Sequence, residues 1–491
     1  MSAPRRRGVQ LREGVSGSAL LYAVLEGAVN RHPSVFGGPE LLGDPNRFRT
    51  RFPERLVQFE LRRIASAERV AIAREMLWEA QEQLRYLGDG VDLSLAEYLA
   101  RPAQPLPLEE LRLRGAGRLT PRVDYAGCGY AGSQLAQLAG ALRERAHASR
   151  AACDALHWLA QHFADEPIDL AGHRFAILGA GAELSPVPLL LEAGADVLWI
   201  DLAAPPADLV KDSQLSGRLY VPRDGANLLE QPGEIAATIA DFAQPGPVHV
   251  GLYAYAPGQC QEWRLAAAMN AIVRSLPAGT AGSVSLFTSP TTPAAVQPEE
   301  QRAAQQRLAA APVWQRVLRR AGRLPDGHAQ DGEACIARAV VSIQGASYQA
   351  AQYLAKMLAS EVWAVYGNDL GDGGPPLRAS ANTAGVTRTR SLSTPVFEAG
   401  FLGGPAFGVD TFAPATTRWL NGLLVLHDLL NHDAPAAQAG LPPAERARRL
   451  HAQQIHGGIF SLPYTLDATL TAAALIGFGR RPRLLLDLLR R

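Results

Sequence analysis

Phe175-Ala-Ile-Leu-Gly179-Ala-Gly181-Ala-Glu183-Leu-Ser185-Pro186 is the run on which the reading of this chain turns. A short apolar strand enters a turn with two glycines and leaves it as a helix, expected to run to Ala193. The first glycine permits the tight turn, and the second lets the backbone approach a pyrophosphate closely. The helix start then offers free N–H groups and a positive dipole end to the anion. Val197 to Ile200 is a second strand, and it ends in Asp201, well downstream of Gly181 at the distance such folds use. A carboxylate there accepts bonds from both ribose hydroxyls, which favours NAD and leaves NADP as the alternative. Gly179, Gly181, Glu183, Ser185 and Asp201 are thus the candidate cofactor-binding residues. Leu184 stands where a third glycine is usual, and Glu183 brings a negative charge close to the phosphates.

Outward from this unit, short β-rich runs alternate with longer helical ones. Strands are expected at 219–221, 248–253, 283–287 and 339–343, and helices at 234–242, 263–276, 299–320 and 348–366. Such alternation implies an α/β fold with a doubly wound parallel sheet of Rossmann type, covered by helices on both faces. Residues 1–165 read as a helical N-terminal domain, with helical runs at 56–87 and 133–163. Residues 166–393 form the dinucleotide-binding domain. Residues 394–491 are read as a helical extension that covers the site.

Composition narrows the function classes. The chain has 491 residues, 47% of them hydrophobic, and a net charge of +1, so nothing predicts nucleic acid as a partner. A small-molecule substrate is expected, and association into a homo-oligomer is compatible with this reading. The cysteines, at 128, 153, 260 and 335, form no Cys-x-x-Cys pair. That argues against a disulfide framework or a zinc knuckle and favours a reducing, cytoplasmic setting. The apolar run at 19–29 after Arg5, Arg6 and Arg7 is broken by Glu26, so neither a signal peptide nor an integral membrane segment is expected. The basic, leucine-rich end from Arg480 to Arg491 reads as a docked helix, with a membrane-surface role as the alternative. Of 48 basic residues only Lys211 and Lys356 are lysine. Against that background, a lysine marks a place where arginine will not serve.

Histidines 427, 432, 451 and 456 have no suitably placed acidic partner, and no metal site is expected. No Gly-x-Ser-x-Gly elbow and no P-loop lysine motif occur.

The later segments add candidate chemistry. Val248 to Gly258 ends in small and aromatic residues, the next helix carries Asn270, and Gly282-Ser-Val-Ser-Leu-Phe-Thr288-Ser289-Pro290 ends a strand in hydroxyls. Tyr348, Gln352 and Lys356 fall at i, i+4 and i+8 and so share a helix face. Arg378-Ala-Ser-Ala-Asn382-Thr-Ala-Gly385-Val-Thr-Arg-Thr389 reads as a further strand and its loop. This order resembles the short-chain dehydrogenase/reductase family. The resemblance runs from the strand at Phe175 to the loop at Thr389, and implies an NAD(P)-dependent oxidoreductase acting on a carbonyl or alcohol. Carried over, Ser289 orients the carbonyl, Tyr348 is the acid/base, Lys356 lowers the phenol's pKa and holds the ribose, and Asn382 meets the nicotinamide.

The chain departs from the family pattern. Gln352 stands four after Tyr348, Tyr353 precedes Lys356 by three, and the stretch from Ser289 to Tyr348 is far longer than the family's. Ser342 and Ser347 are alternative hydroxyls, and Arg388 and Arg390 are candidates for a phosphate or a substrate carboxylate. An S-adenosylmethionine-dependent methyltransferase fits the same glycine turn and acidic strand end. A non-catalytic nucleotide sensor or scaffold is the third reading.

Overall fold

A computed structural model describes residues 7–88, 90–115, 118–256, 260–368 and 375–489. Arg5, Arg6, residues 257 and 258, and the last two residues of the basic C-terminus lie outside them. The architecture is mixed α/β, around a seven-stranded sheet. Its strands, in chain order, are β1 (Leu108–Arg112), β2 (Arg174–Leu178), β3 (Asp196–Ile200), β4 (Arg218–Pro222), β5 (Val248–Leu252), β6 (Ala281–Thr288) and β7 (Arg378–Thr383). Across the sheet they run β7-β6-β5-β2-β3-β4-β1. The six strands β2 to β7 are mutually parallel, and β1 closes the edge antiparallel to β4.

The strands read as apolar runs because both sheet faces are covered. Ala176, Leu178, Leu198 and Ile200 face one core, shared with Leu20, Phe48, Ile72, Trp263 and Leu354. The alternate residues Phe175, Ile177, Val197 and Trp199 face the other, shared with Leu138, Leu156, Leu190 and Leu424. Helices from the N-terminal region, 1–165, therefore pack on both sides of the sheet. A third apolar cluster joins Phe407, Phe460 and Tyr464 of the C-terminal segment to Val296, Leu324 and Cys335.

Local chemistry moves several expected boundaries. Pro186 and Pro188 delay the first crossover helix to Val187–Glu192, so the glycine turn does not lead directly into it. The helix expected at 299–320 is two, Pro298–Ala309 and Val313–Arg320, because Pro312 cannot continue a helix. Residues 339–341 are irregular and 342–344 form a 3₁₀ turn, so no strand stands there. Their valines are apolar because they are buried, not because they pair. The N-terminal region is not purely helical either. It holds short strands as well, including the antiparallel trio Gly8–Leu11, Leu84–Gly88 and Val91–Ser94. Among the described residues no helix is long and apolar enough to cross a membrane.

One buried ionic cluster ties three parts of the chain together. Arg63, in the helix Pro45–Ala65, donates to Glu60 through Nε at 2.6 Å and Nη2 at 2.7 Å. Its Nη1 donates to Glu361 at 2.8 Å. Arg69 also donates to Glu361, and the Tyr353 hydroxyl donates to Glu60. His451 packs against Glu361 from the C-terminal segment. Arg63, Glu60 and Glu361 are fully buried.

Candidate functional site

The site is assembled by one long helical stretch and the carboxyl ends of the parallel strands. That stretch runs as α-helix Gly345–Gln352, π-helix Tyr353–Leu358 and α-helix Ala359–Tyr366. The wider π turn frees backbone groups from the usual ladder. The Asn270 amide, from the neighbouring helix Gln261–Ser275, donates to the Ala355 carbonyl inside that turn at 2.8 Å. Lys356 sits on the same turn.

A cavity of about 850 Å³ opens at the strand ends, in the upper part of the size range of small-molecule sites. Tyr348, Gln352 and Lys356 all line it, as their spacing predicts, together with Ser289, Ser347 and Glu183. Gly179, Gly181, Ser185, Asp201 and Asn382 do not border it. Asn382 is fully buried within β7 and donates to Ser380 Oγ at 3.0 Å. Ser342 is turned away, its hydroxyl donating to Asp467 at 2.6 Å. Arg390 lines the cavity, while Arg388 donates to Thr411 Oγ1 at 3.1 Å.

At the floor, the Ser289-Pro290-Thr291 loop is held from several sides. The Ser289 and Thr291 hydroxyls are 2.8 Å apart. The Thr291 hydroxyl donates to Gln344 Oε1 at 2.7 Å, and Gln349 Nε2 donates to the Thr291 carbonyl at 2.8 Å. Burial pushes the Tyr348 phenol well above its ordinary value, against hydrogen bonding from Ser289 and Thr291. The phenol is therefore protonated at neutral pH.

Glu262 is the residue that sequence reasoning missed. It is 4% exposed, in the first turn of its helix, and lines the cavity. One carboxylate oxygen accepts from the Ala256 N–H at 3.1 Å. The other accepts from Gln352 Nε2 at 3.1 Å and lies 3.8 Å from Lys356 Nζ. Gln352 Oε1 in turn accepts from the Ser289 N–H at 3.2 Å, so one amide spans the two halves of the floor. Burial raises Glu262 and lowers Lys356, each opposed by the other's charge. Lys356 Nζ thus faces the Glu262 carboxyl group within the cavity. A Cys-Gln-Glu-Trp run carries no signal for a buried acid. The lysine's rarity pointed to Lys356 itself and not to its acidic partner.

The glycine turn stands at the rim. Gly179 has φ +83°, and a Cβ there would lie 2.1 Å from Ala254 N, so only glycine fits where β5 ends. Asp201 Oδ2 accepts from the Gly181 N–H at 2.9 Å. Arg418 donates through Nε and Nη2 to the Glu183 carbonyl at 3.0 and 2.6 Å, and the Arg390 N–H donates to the Glu183 carboxylate at 3.2 Å. The Ser185 hydroxyl is buried with no hydrogen-bond partner. Among the described residues no partner is bonded to the Glu183 or Leu184 N–H. The turn thus leaves one hydroxyl and two N–H groups without a partner.

Among the described residues no three His, Cys, Asp or Glu side chains gather in a way that could hold a metal ion. Fold and site define a mixed α/β protein with a cavity at the carboxyl ends of a largely parallel sheet. No family model, curated protein or solved structure matches the chain.

Proposed function

We propose that the protein is an NAD(P)-dependent oxidoreductase acting on a carbonyl or alcohol, built on a Rossmann-type sheet. The carrying observation is the placement of the cavity. Taken in chain order, the six parallel strands stand as 6-5-4-1-2-3 across the sheet, the order of dinucleotide-binding folds, whose ligands lie beyond the carboxyl ends where that order reverses. The cavity occupies that place, between the turn at 182–184 and Tyr348.

In this reading the open N–H groups of Glu183 and Leu184, residues that line the cavity, hold the pyrophosphate. Asp201 accepts from the adenosine ribose and repels a 2′-phosphate. A bound nicotinamide supplies or accepts the hydride. The Ser289 hydroxyl orients the substrate oxygen beside the protonated Tyr348 phenol, which donates its proton to that oxygen as the carbonyl carbon is reduced. Gln352 holds the Ser289 loop against Glu262. The Glu262–Lys356 pair keeps the buried wall charge-balanced.

The test is thermal stability with NAD⁺, NADH, NADP⁺, NADPH and S-adenosylmethionine in turn. NAD(H) is expected to raise the midpoint, and Asp201→Ala to remove most of that rise. No rise with any dinucleotide at millimolar concentration overturns the proposal. A rise with S-adenosylmethionine alone replaces it with the methyltransferase reading.

A further inference from the structure

The cavity is sharply two-sided. The charged side chains among its described lining, Glu183, Glu262, Lys356 and Arg390, come from the strand-end side. The opposite wall comes from the C-terminal segment, and its described lining carries no charge. Phe397 and Phe401, from the helix Pro395–Gly403, and Leu466 and Leu470, from the helix Leu466–Arg480, form most of it. Its polar side chains are the hydroxyls of Thr411 and Thr469.

The two roof helices are locked at close range. A Cβ on Gly403 would lie 1.9 Å from the Ala473 carbonyl oxygen, and one on Gly477 would lie 1.9 Å from that of Ala399. Such backbone-to-backbone contact fixes the roof in place, so the apolar wall is a built surface. At the rim Ile343 is 53% exposed and extends this surface outwards. A nicotinamide and a small polar carbonyl need only the floor. Phe397, Leu466 and Leu470 are half-buried, and apolar side chains left partly in contact with solvent are costly unless a ligand covers them.

We infer that the substrate is an amphiphile: a carbonyl or alcohol head on an extended apolar body. This rests on the oxidoreductase reading above, whose floor takes the head at Tyr348 and Ser289. The body lies along Phe397, Phe401, Leu466 and Leu470. Burial of each added methylene against that wall strengthens binding roughly fourfold.

The test is displacement of cis-parinaric acid fluorescence from the full-length protein by butanol, hexanol, octanol and decanol, without dinucleotide so that nothing turns over. Affinity is expected to rise steeply along the series. Phe397→Asp and Leu470→Gln, both at half-buried roof positions, are expected to flatten the rise while leaving the thermal shift with NAD(H) intact. Two variants are used so that one misfolded protein, recognised by its melting profile, leaves the other to decide. A change of less than twofold from butanol to decanol, or a full rise retained in the folded roof variants, overturns the inference. A steep alcohol series with no dinucleotide shift instead overturns the hydride-transfer reading and upholds the ligand class.

Discussion

Replacing Glu361 with glutamine removes one negative charge from a fully buried cluster. In the native cluster two guanidinium groups, Arg63 and Arg69, meet two carboxylates, Glu60 and Glu361. Arg63 retains Glu60 in the variant, but Arg69 faces only a neutral amide. Its side chain is 6% exposed, so water cannot take over the charge. Breaking such a pair costs about 3–5 kcal/mol, because the remaining ion stays buried without compensation. That is a large part of the roughly 5–15 kcal/mol typical of a folded domain. Urea unfolding of Glu361→Gln is therefore expected to show a midpoint far below the parent. The double variant Arg69→Met with Glu361→Leu, which removes both charges and keeps the volume, is expected to recover most of the loss. A loss below about 1 kcal/mol in the single variant, or no recovery in the double, would refute the claim that the cost is an uncompensated charge.

Stability should also depend on pH through buried imidazoles. Burial pushes His147, His249 and His451 down to about 4. Their contribution is fully present above about 6.5 and is lost as pH falls through 4, by roughly 3 kcal/mol for each at most. Urea titrations between pH 7 and 4 check this, and His249→Gln should flatten the slope. Gly403→Ala forces the roof helices apart and is expected to cost about 1–3 kcal/mol and to weaken parinaric acid binding. An unchanged melting midpoint would contradict the helix contact. Gln352→Leu leaves the Ser289 N–H and a Glu262 oxygen without their partner, and is expected to cost about 1–3 kcal/mol. If it melts like the parent, the amide does not join the two halves of the floor.

Much of the sheet was legible because buried parallel strands are short apolar runs between turn residues. β2, β3, β5 and β6 stand close to where hydrophobicity places them. The shared face of Tyr348, Gln352 and Lys356 was legible from spacing alone. Features set by tertiary contact were not. Val340 and Val341 are as apolar as a strand would be, yet they are buried without pairing. The π turn has no local signature, and it turns Lys356 towards Glu262, an acid whose burial depends on helices far away in the chain. The late helix start at Val187 does have a local signal, since Pro186 and Pro188 are tolerated only at or before the first helical turn.

The cavity wall begins at Ala182 and is not complete before Ala473, more than half the chain later. Contacts so distant in sequence are slow to form, because loop closure must precede any reward from them. The two sheet cores take Leu424 from the C-terminal segment but not Phe401, Leu466 or Leu470, so they can condense while the wall still lacks these three. Competence to hold a ligand is therefore acquired at the end of folding, and during refolding it should trail the recovery of secondary structure as a separate, slower event.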